Sequence, residues 1–340
     1  MSFTRRRILS SALLMLALAP SAWAAAARRA KRRKRTPRAP VVPTLILSGG
    51  ASAWDHAVAE ACQTGLGRSG GGVVAMDPYS GRVVALVNPA SVLFRAYQPC
   101  SVFKIVVAVA GLSEGVIKAE TTVPCQKGCW SWPGHGSINL RRALAVSCNP
   151  YFEWVGEQLG YETIQRYAQT LGLGAPSGIN LTGETAGFLP TQVSAQAVGH
   201  LSSHAAGIAT SAIQLAVLLS ATINGGVVFQ PQVAGPQDFT PKERWRLPAG
   251  TVLDGLADGF VGAVNEGSAT SAFDPDLVVA GKTGTCASLG WFASYAPAVK
   301  PRLVLVVFLR PGSGHSASTV AGRIYQGIFK PTEATPLVGG

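Results

Sequence analysis

Ser101-Val102-Phe103-Lys104 sets a hydroxyl and a primary amine three residues apart at the head of an apolar stretch, residues 105–112. In a helix that spacing stacks the two side chains on one face, one turn apart. Ser101 then lies where unpaired backbone N–H groups and the helix dipole favour developing negative charge. Lys104 is the only charge in the segment, and burial disfavours an ammonium, so the amine is suited to take a proton from the hydroxyl beside it. The same four residues also suit a capping serine and a lysine that runs its stem along apolar surface to water. Two further groups favour the chemical reading. Lys282-Thr283-Gly284-Thr285 follows Leu277-Val278-Val279-Ala280-Gly281, which puts a cation flanked by hydroxyls on an apolar strand. That is what holding a carboxylate requires, and Gly284 lets another backbone come close. Ser147-Cys148-Asn149 offers a hydroxyl to relay a proton and an amide to hold a substrate amide. Only seven lysines follow residue 40, and two of them fall in these motifs.

Cys125, Cys129, His135 and Cys148 lie within 24 residues, spaced C-x3-C, C-x5-H and H-x12-C. Three thiolates and an imidazole complete a structural tetrahedral zinc site, which would clamp the loop before Ser147. In an exported protein a Cys125–Cys129 disulfide is the alternative. The serine–lysine chemistry itself needs no cofactor. Cys62 has no assigned partner and is expected to be a buried free thiol. His56, His200, His204 and His315 form no readable ligand set.

The elements that must position these groups follow from periodicity and turn signals. Residues 54–66 form an amphipathic helix pattern, and 72–76 and 82–87 flank Asp77-Pro78-Tyr79-Ser80-Gly81 as a hairpin. Helical stretches follow at roughly 101–112, 138–171 and 209–223, then strands at 277–286, 289–295 and 303–309 and a closing helix at 319–329. The prediction is an α+β domain: a five-stranded antiparallel sheet with helices on both faces, plus a helical lobe, with the serine at the cleft between the parts.

The chain has 340 residues, 47% hydrophobic and only 14% charged, which excludes a disordered or fibrous protein. Of its 29 basic side chains, 11 fall in the first 40 residues, where no acid occurs, leaving 18 basic against 17 acidic groups elsewhere. A nearly neutral folded part argues against nucleic acid as a partner. Thr4-Arg5-Arg6-Arg7-Ile8-Leu9, an apolar run at 13–19 and Ala22-Trp23-Ala24 describe an export signal over residues 1–24, with a possible cut after Ala24 and a destination in the periplasm or on the outer face of the cytoplasmic membrane. Its paired arginines resemble a twin-arginine signal. The run is about half of the roughly 20 residues a spanning helix needs. Residues 25–44 carry eight cations and three prolines and form a basic linker, either a plain spacer or an electrostatic contact with an anionic envelope. The catalytic domain is expected at 45–332, with a tail at 333–340.

Serine–lysine, serine–x–asparagine and lysine–threonine–glycine in this order form the signature of the serine acyltransferases that react with penicillin. The likeness extends to Arg95-Ala96-Tyr97-Gln98-Pro99, Gly134-His135-Gly136, Ser147-Cys148-Asn149-Pro150-Tyr151-Phe152, the run Gly183-Glu184-Thr185-Ala186-Gly187-Phe188-Leu189-Pro190, Gln214-Leu215-Ala216, Asn224-Gly225-Gly226 and Gly290-Trp291-Phe292. Together they resemble the transpeptidase domain of class B penicillin-binding proteins, the elongation-type members above all, over about residues 45–330. The resemblance implies that Ser101 attacks the D-Ala-D-Ala carbonyl of a peptidoglycan stem peptide and that Lys104 takes its proton. It further implies that Ser147 relays a proton to the leaving D-alanine and that Asn149 positions the substrate amide. Lys282, Thr283 and Thr285 then receive the terminal carboxylate, next to Gly284. The backbone N–H groups of Ser101 and Thr285 form the oxyanion hole, and β-lactams act as suicide substrates.

Cys100 and Val102 stand where this family usually has glycine and threonine, and Asn149 where the nearest relatives often have aspartate. Since Cys100 and Cys286 border the two implied oxyanion residues, their α-carbons are expected close enough to bridge. No glycosyltransferase-like region or pedestal domain is expected before the catalytic domain. The rival reading is a serine β-lactamase. The class A motif is absent, Glu184 being followed by Thr185-Ala186-Gly187, and class D enzymes have valine where this chain has Asn149. A D,D-carboxypeptidase is not separable by sequence, and a non-catalytic β-lactam sensor or wall-binding module would not require Ser101, Lys104 and Lys282.

Overall fold

The computed structural model describes residues 45–330, apart from Ser48, Lys127, Gly128 and Trp132. The export signal, the whole basic linker and residues 331–340, which include the expected tail, lie outside the described residues.

In chain order the elements are β1 (Leu45–Ile46), α1 (Ala53–Leu66), β2 (Gly71–Met76), β3 (Arg82–Val87), a 3-10 turn (Cys100–Phe103) running into α2 (Lys104–Ser113), β4 (Val123–Cys125), β5 (Gly136–Ile138), α3 (Leu140–Ala145) and α4 (Asn149–Thr170). They continue with α5 (Ala195–His204), α6 (Ala212–Ile223), β6 (Val227–Phe229), β7 (Gln232–Val233), β8 (Glu243–Arg246), α7 (Leu256–Asn265), β9 (Ala280–Cys286), β10 (Leu289–Ala296), β11 (Leu303–Leu309) and α8 (Gly314–Phe329).

The main sheet runs β1-β3-β2-β11-β10-β9. Its five long strands are the five expected, all antiparallel. Two dipeptide strands extend it along β3: β1 antiparallel and β7 parallel. In β11 every residue is buried, and successive side chains enter two different cores: Val304, Val306 and Phe308 face the helical lobe, while Leu303, Leu305, Val307 and Leu309 face α1 and α8. A strand covered on both sides reads as one apolar run, and β11 does.

Local signals fix where the helices start. Ser52 accepts from Asp55 N and the Asp55 side chain accepts from Ser52 N, a reciprocal cap that starts α1. Ser313 caps α8 in the same manner, so that helix begins at Gly314, earlier than the 319 expected from its apolar pattern. The helix expected over 138–171 is broken twice: Ser147 between α3 and α4 adopts a left-handed φ of 56°, and Gly160, with φ 73°, kinks α4. Strand β9 begins at Ala280 rather than 277. Helices α5 and α7 had no counterpart in the sequence reading.

Candidate active site

The 3-10 turn brings Ser101 round so that it lines a cavity of about 490 Å3, together with Ser147, Asn149, Thr283 and Thr285. Three residues per turn eclipse positions i and i+3, so Lys104 starts α2 directly below Ser101. Lys104 and Lys282 are both fully buried beneath the cavity floor. Lys104 Nζ donates to Ser147 O at 2.8 Å, to Asn149 Oδ1 at 2.6 Å and contacts Ser147 Oγ at 3.2 Å. Lys282 Nζ donates to the same Ser147 Oγ at 2.8 Å and to Thr283 O at 3.0 Å. Ser147 Oγ is therefore held between two amines. Its left-handed backbone is the strained step that turns the hydroxyl toward both. Among the described residues no hydrogen bond joins Lys104 Nζ to Ser101 Oγ.

Removal from water lowers the Lys104 pKa to about 7. Burial also holds Lys282 well below the usual lysine range, and the neighbouring Lys104 charge lowers it further. Two ammonium groups around one hydroxyl oxygen, out of water, are disfavoured, so the pair sheds a proton near neutrality. A neutral Lys104 spends its two N–H donors on Ser147 O and Asn149 Oδ1 and keeps a lone pair for a hydroxyl proton. Lys282 does not reach the cavity; the strand presents Thr283 and Thr285 there instead. Thr283 Oγ1 is 2.6 Å from Ser268 Oγ, and Thr285 Oγ1 accepts from Gly314 N at 2.7 Å, which orients both hydroxyls.

Strand β9 packs hard against the turn that carries Ser101. A Cβ on Gly284 would come within 2.7 Å of Pro99 O, so only glycine fits. Next to Ser101 on one side and Thr285 on the other, a disulfide joins Cys100 to Cys286 with their α-carbons 5.8 Å apart. Cys100 has φ 52°, a left-handed conformation that a glycine adopts freely and an L-residue holds at a cost of roughly 1–2 kcal/mol. The bridge ties that turn to the sheet.

The four candidate zinc ligands come together. Their donor atoms lie within 4.8 Å of one another, and His135 Nδ1 is 3.3 Å from Cys125 Sγ and 3.2 Å from Cys129 Sγ. All three thiols are free, so the Cys125–Cys129 disulfide is not formed. Strands β4 and β5 frame the loop, pairing Cys125 with Gly136. Burial raises the pKa of Cys125 and Cys148, which leaves both as thiols unless a cation balances them. Cys62 is a buried free thiol whose pKa is pushed up to about 12.

Several cavity residues carried no sequence signal. Trp130, 64% exposed, stands at the rim with Nε1 donating to Val146 O at 2.9 Å. His204, Ser268 and His315 complete the walls from α5, the segment after α7, and α8. They arrive through long-range packing, far in sequence from any motif. Glu184 is elsewhere: its carboxylate accepts from Ser177 N at 2.7 Å and Gly178 N at 3.0 Å and holds a loop.

This arrangement belongs to a known family. Residues 71–330 match the penicillin binding protein transpeptidase domain. Stage V sporulation protein D of Bacillus subtilis is 27% identical over 287 residues, covering 73% of this chain and 43% of that protein. Peptidoglycan D,D-transpeptidase MrdA of Acinetobacter baumannii is 24% identical over 351 residues, covering 78% of this chain and 52% of its own. The chain thus spans about half the length of these curated relatives. Among solved structures, penicillin-binding protein A from Mycobacterium tuberculosis, as its imipenem acyl-enzyme complex, superposes with a TM-score of 0.67 at 22% identity, covering 82% of this chain and 79% of that one. That likeness is one of fold. With the family match covering the serine, both lysines and the hydroxyl they share, the chain belongs to the penicillin-binding protein transpeptidase family.

Proposed function

We propose that this chain is a serine D,D-transpeptidase acting on peptidoglycan stem peptides that end in D-Ala-D-Ala. The observation that carries the reading is Ser147 Oγ, held by two buried amines in the floor of the cavity that Ser101 lines. Ser101 Oγ attacks the carbonyl carbon of the penultimate D-alanine and gives its proton to neutral Lys104. Hydrogen bonds of this kind commonly shorten only once substrate is bound. The C–N bond to the terminal D-alanine then breaks, and its amine leaves with a proton passed from Lys104 through Ser147. Backbone N–H groups of Ser101 and Thr285 hold the developing oxyanion. Asn149 positions the substrate amide, Thr283 and Thr285 take the terminal carboxylate, and Lys282 supplies positive potential from behind. An amine of a second stem peptide attacks the ester, releases Ser101 and completes the cross-link. β-Lactams acylate the same hydroxyl.

Fast hydrolysis of the ester, which would make the chain a β-lactamase, needs a base poised over it. Among the described residues no aspartate or glutamate lines the cavity, and Glu184 is committed to its loop. Intact-mass measurement of the protein with penicillin over hours tests the assignment. A long-lived adduct is expected; rapid turnover to hydrolysed penicillin would assign the chain to the hydrolases instead.

A structural zinc on Cys125, Cys129, His135 and Cys148 is part of the same reading. When bound, the ion neutralises three thiolates and fixes the loop that ends at Ser147; it takes no part in acyl transfer. Metal analysis of protein purified without chelator is expected to find about one zinc per chain, as a four-ligand structural site implies. Metal-free protein with Cys125 and Cys129 oxidised rejects the site. Export to an oxidising compartment is supported by the Cys100–Cys286 bridge. The basic segment at 25–44 is suited to an anionic envelope surface, an attraction that salt weakens.

A further inference from the structure

Behind the cavity wall a chain of hydrogen bonds starts at Lys104 and ends on a carboxylate. Lys104 Nζ donates to Asn149 Oδ1 at 2.6 Å. Asn149 Nδ2 lies 3.3 Å from His204 Nε2. His204 Nδ1 lies 2.6 Å from Ser203 Oγ, and Ser203 Oγ donates to Glu153 Oε1 at 2.9 Å, with His200 O at 3.2 Å as its other neighbour. Matching donors to acceptors assigns the protons in this chain. An amide whose oxygen faces the amine must present its NH2 to His204, so Nε2 has to be the unprotonated, accepting nitrogen. Nδ1 then carries the hydrogen and donates to Ser203, whose own proton goes to the Glu153 carboxylate.

We propose that His204 is a positioning residue for acyl transfer: its Nε2 fixes the orientation of the Asn149 amide, and Ser203 with Glu153 fixes the tautomer that lets it do so. The inference rests on the acyl-transfer reading above and deepens it. With Oδ1 toward Lys104, the amide consumes one N–H of the amine and leaves its lone pair for the Ser101 proton. Turned over, the amide would present N–H to that lone pair and quench the base. Protonation of His204 forces this outcome, because an Nε2–H facing an amide N–H is a clash of two donors. His204 therefore makes the site an acid-sensitive one.

The groups around the imidazole are Lys104 on α2, Glu153 on α4, His200 on its own helix and His315 across the cavity, while Glu157 lies against α5 at Gly199. Burial, His200 and Lys104 keep the His204 pKa below its ordinary value, outweighing the pull of Glu153. The imidazole is thus neutral at physiological pH. Glu153, His200 and His204 also bring three potential metal-binding atoms within 4.8 Å, but Nδ1 is already committed to Ser203.

Two measurements test the proposal. Protein labelled with ¹⁵N-histidine reports the tautomer whether or not the chain is active, and His204 is expected as the Nδ1–H form at pH 8. Acylation by a fluorescent penicillin is then followed between about pH 5 and 9, the range over which an imidazole titrates. His204→Ala should slow the acylation step about tenfold, as losing one hydrogen bond in a buried network does, with the binding constant for penicillin little changed. His204→Gln should recover part of the loss, because its Oε1 accepts from Asn149 and never takes a proton. Its acid limb should fall with one proton where the wild type falls with two. An Nε2–H tautomer at pH 8, or His204→Ala acylating like the wild type throughout, overturns the proposal. A wild-type chain that takes no label overturns the acyl-transfer reading, and the histidine spectrum still decides the tautomer.

Discussion

Ser101→Ala will take up no penicillin. Ser101 combines a place in the cavity with a helix start beneath it and strand β9 alongside, the positions proposed to hold the oxyanion. Ser147 cannot stand in, because its oxygen is engaged by Lys104 at 3.2 Å and Lys282 at 2.8 Å. Removing a nucleophile from a concerted set costs on the order of 10^4–10^6 in rate, beyond what hours of labelling can register. Intact mass and gel fluorescence both read the outcome, and an unchanged melting temperature shows that the fold is kept. Labelling of Ser101→Ala at the wild-type rate would falsify the nucleophile assignment.

Lys104→Met will slow acylation by about 10^2–10^4, the share a positioned general base supplies. The choice of methionine keeps the length of the side chain in a fully buried slot. Two effects on stability oppose each other. Loss of the amine removes the burden of burying an ionisable group, while Ser147 O and Asn149 Oδ1 lose their donor, at about 1–3 kcal/mol for each orphaned acceptor. The melting temperature should therefore fall by some degrees without loss of cooperative unfolding. The pH profile separates chemistry from packing. In the wild type the base is competent only when neutral, so acylation rises as pH climbs through about 7. The variant has no such group, and its residual rate should lack the rise through that range. A wild-type rate in Lys104→Met, or an intact limb near 7, would remove the lysine from the mechanism.

Much of this site was legible because the residues proposed to do chemistry sit in short contiguous motifs whose spacing matches one helical turn or one strand. Lys104 as the lone charge in an apolar helix was enough to expect a depressed amine, and the amine is fully buried. The missing parts were missed for physical reasons. Helix α7 contains Gly259 and Gly262, residues that weaken a helix signal. They are there because Leu144 and Ala145 of α3 press against them, leaving no room for a side chain at Gly259. Helix α5 buries only Val198 and Leu201 among large apolar residues, too sparse a stripe to stand out. His204 therefore looked like an isolated histidine until α4 and α5 packed side by side. The dipeptide strands β1 and β7 are too short for any alternation to show. The paired cysteines carry no mutual signal across 186 residues; only the resemblance that put their neighbours in one oxyanion hole brought them together.

That bridge has a consequence for biogenesis. Its two halves belong to the first and the last thirds of the domain, so a ribosome must deliver Cys286 before Cys100 can find its partner, and an oxidant must be present when they meet. A chain still inside a reducing cytosol would carry Ser101 on an untethered, strained turn. On the proposed reading, the tether closes only once the chain has met an oxidising environment.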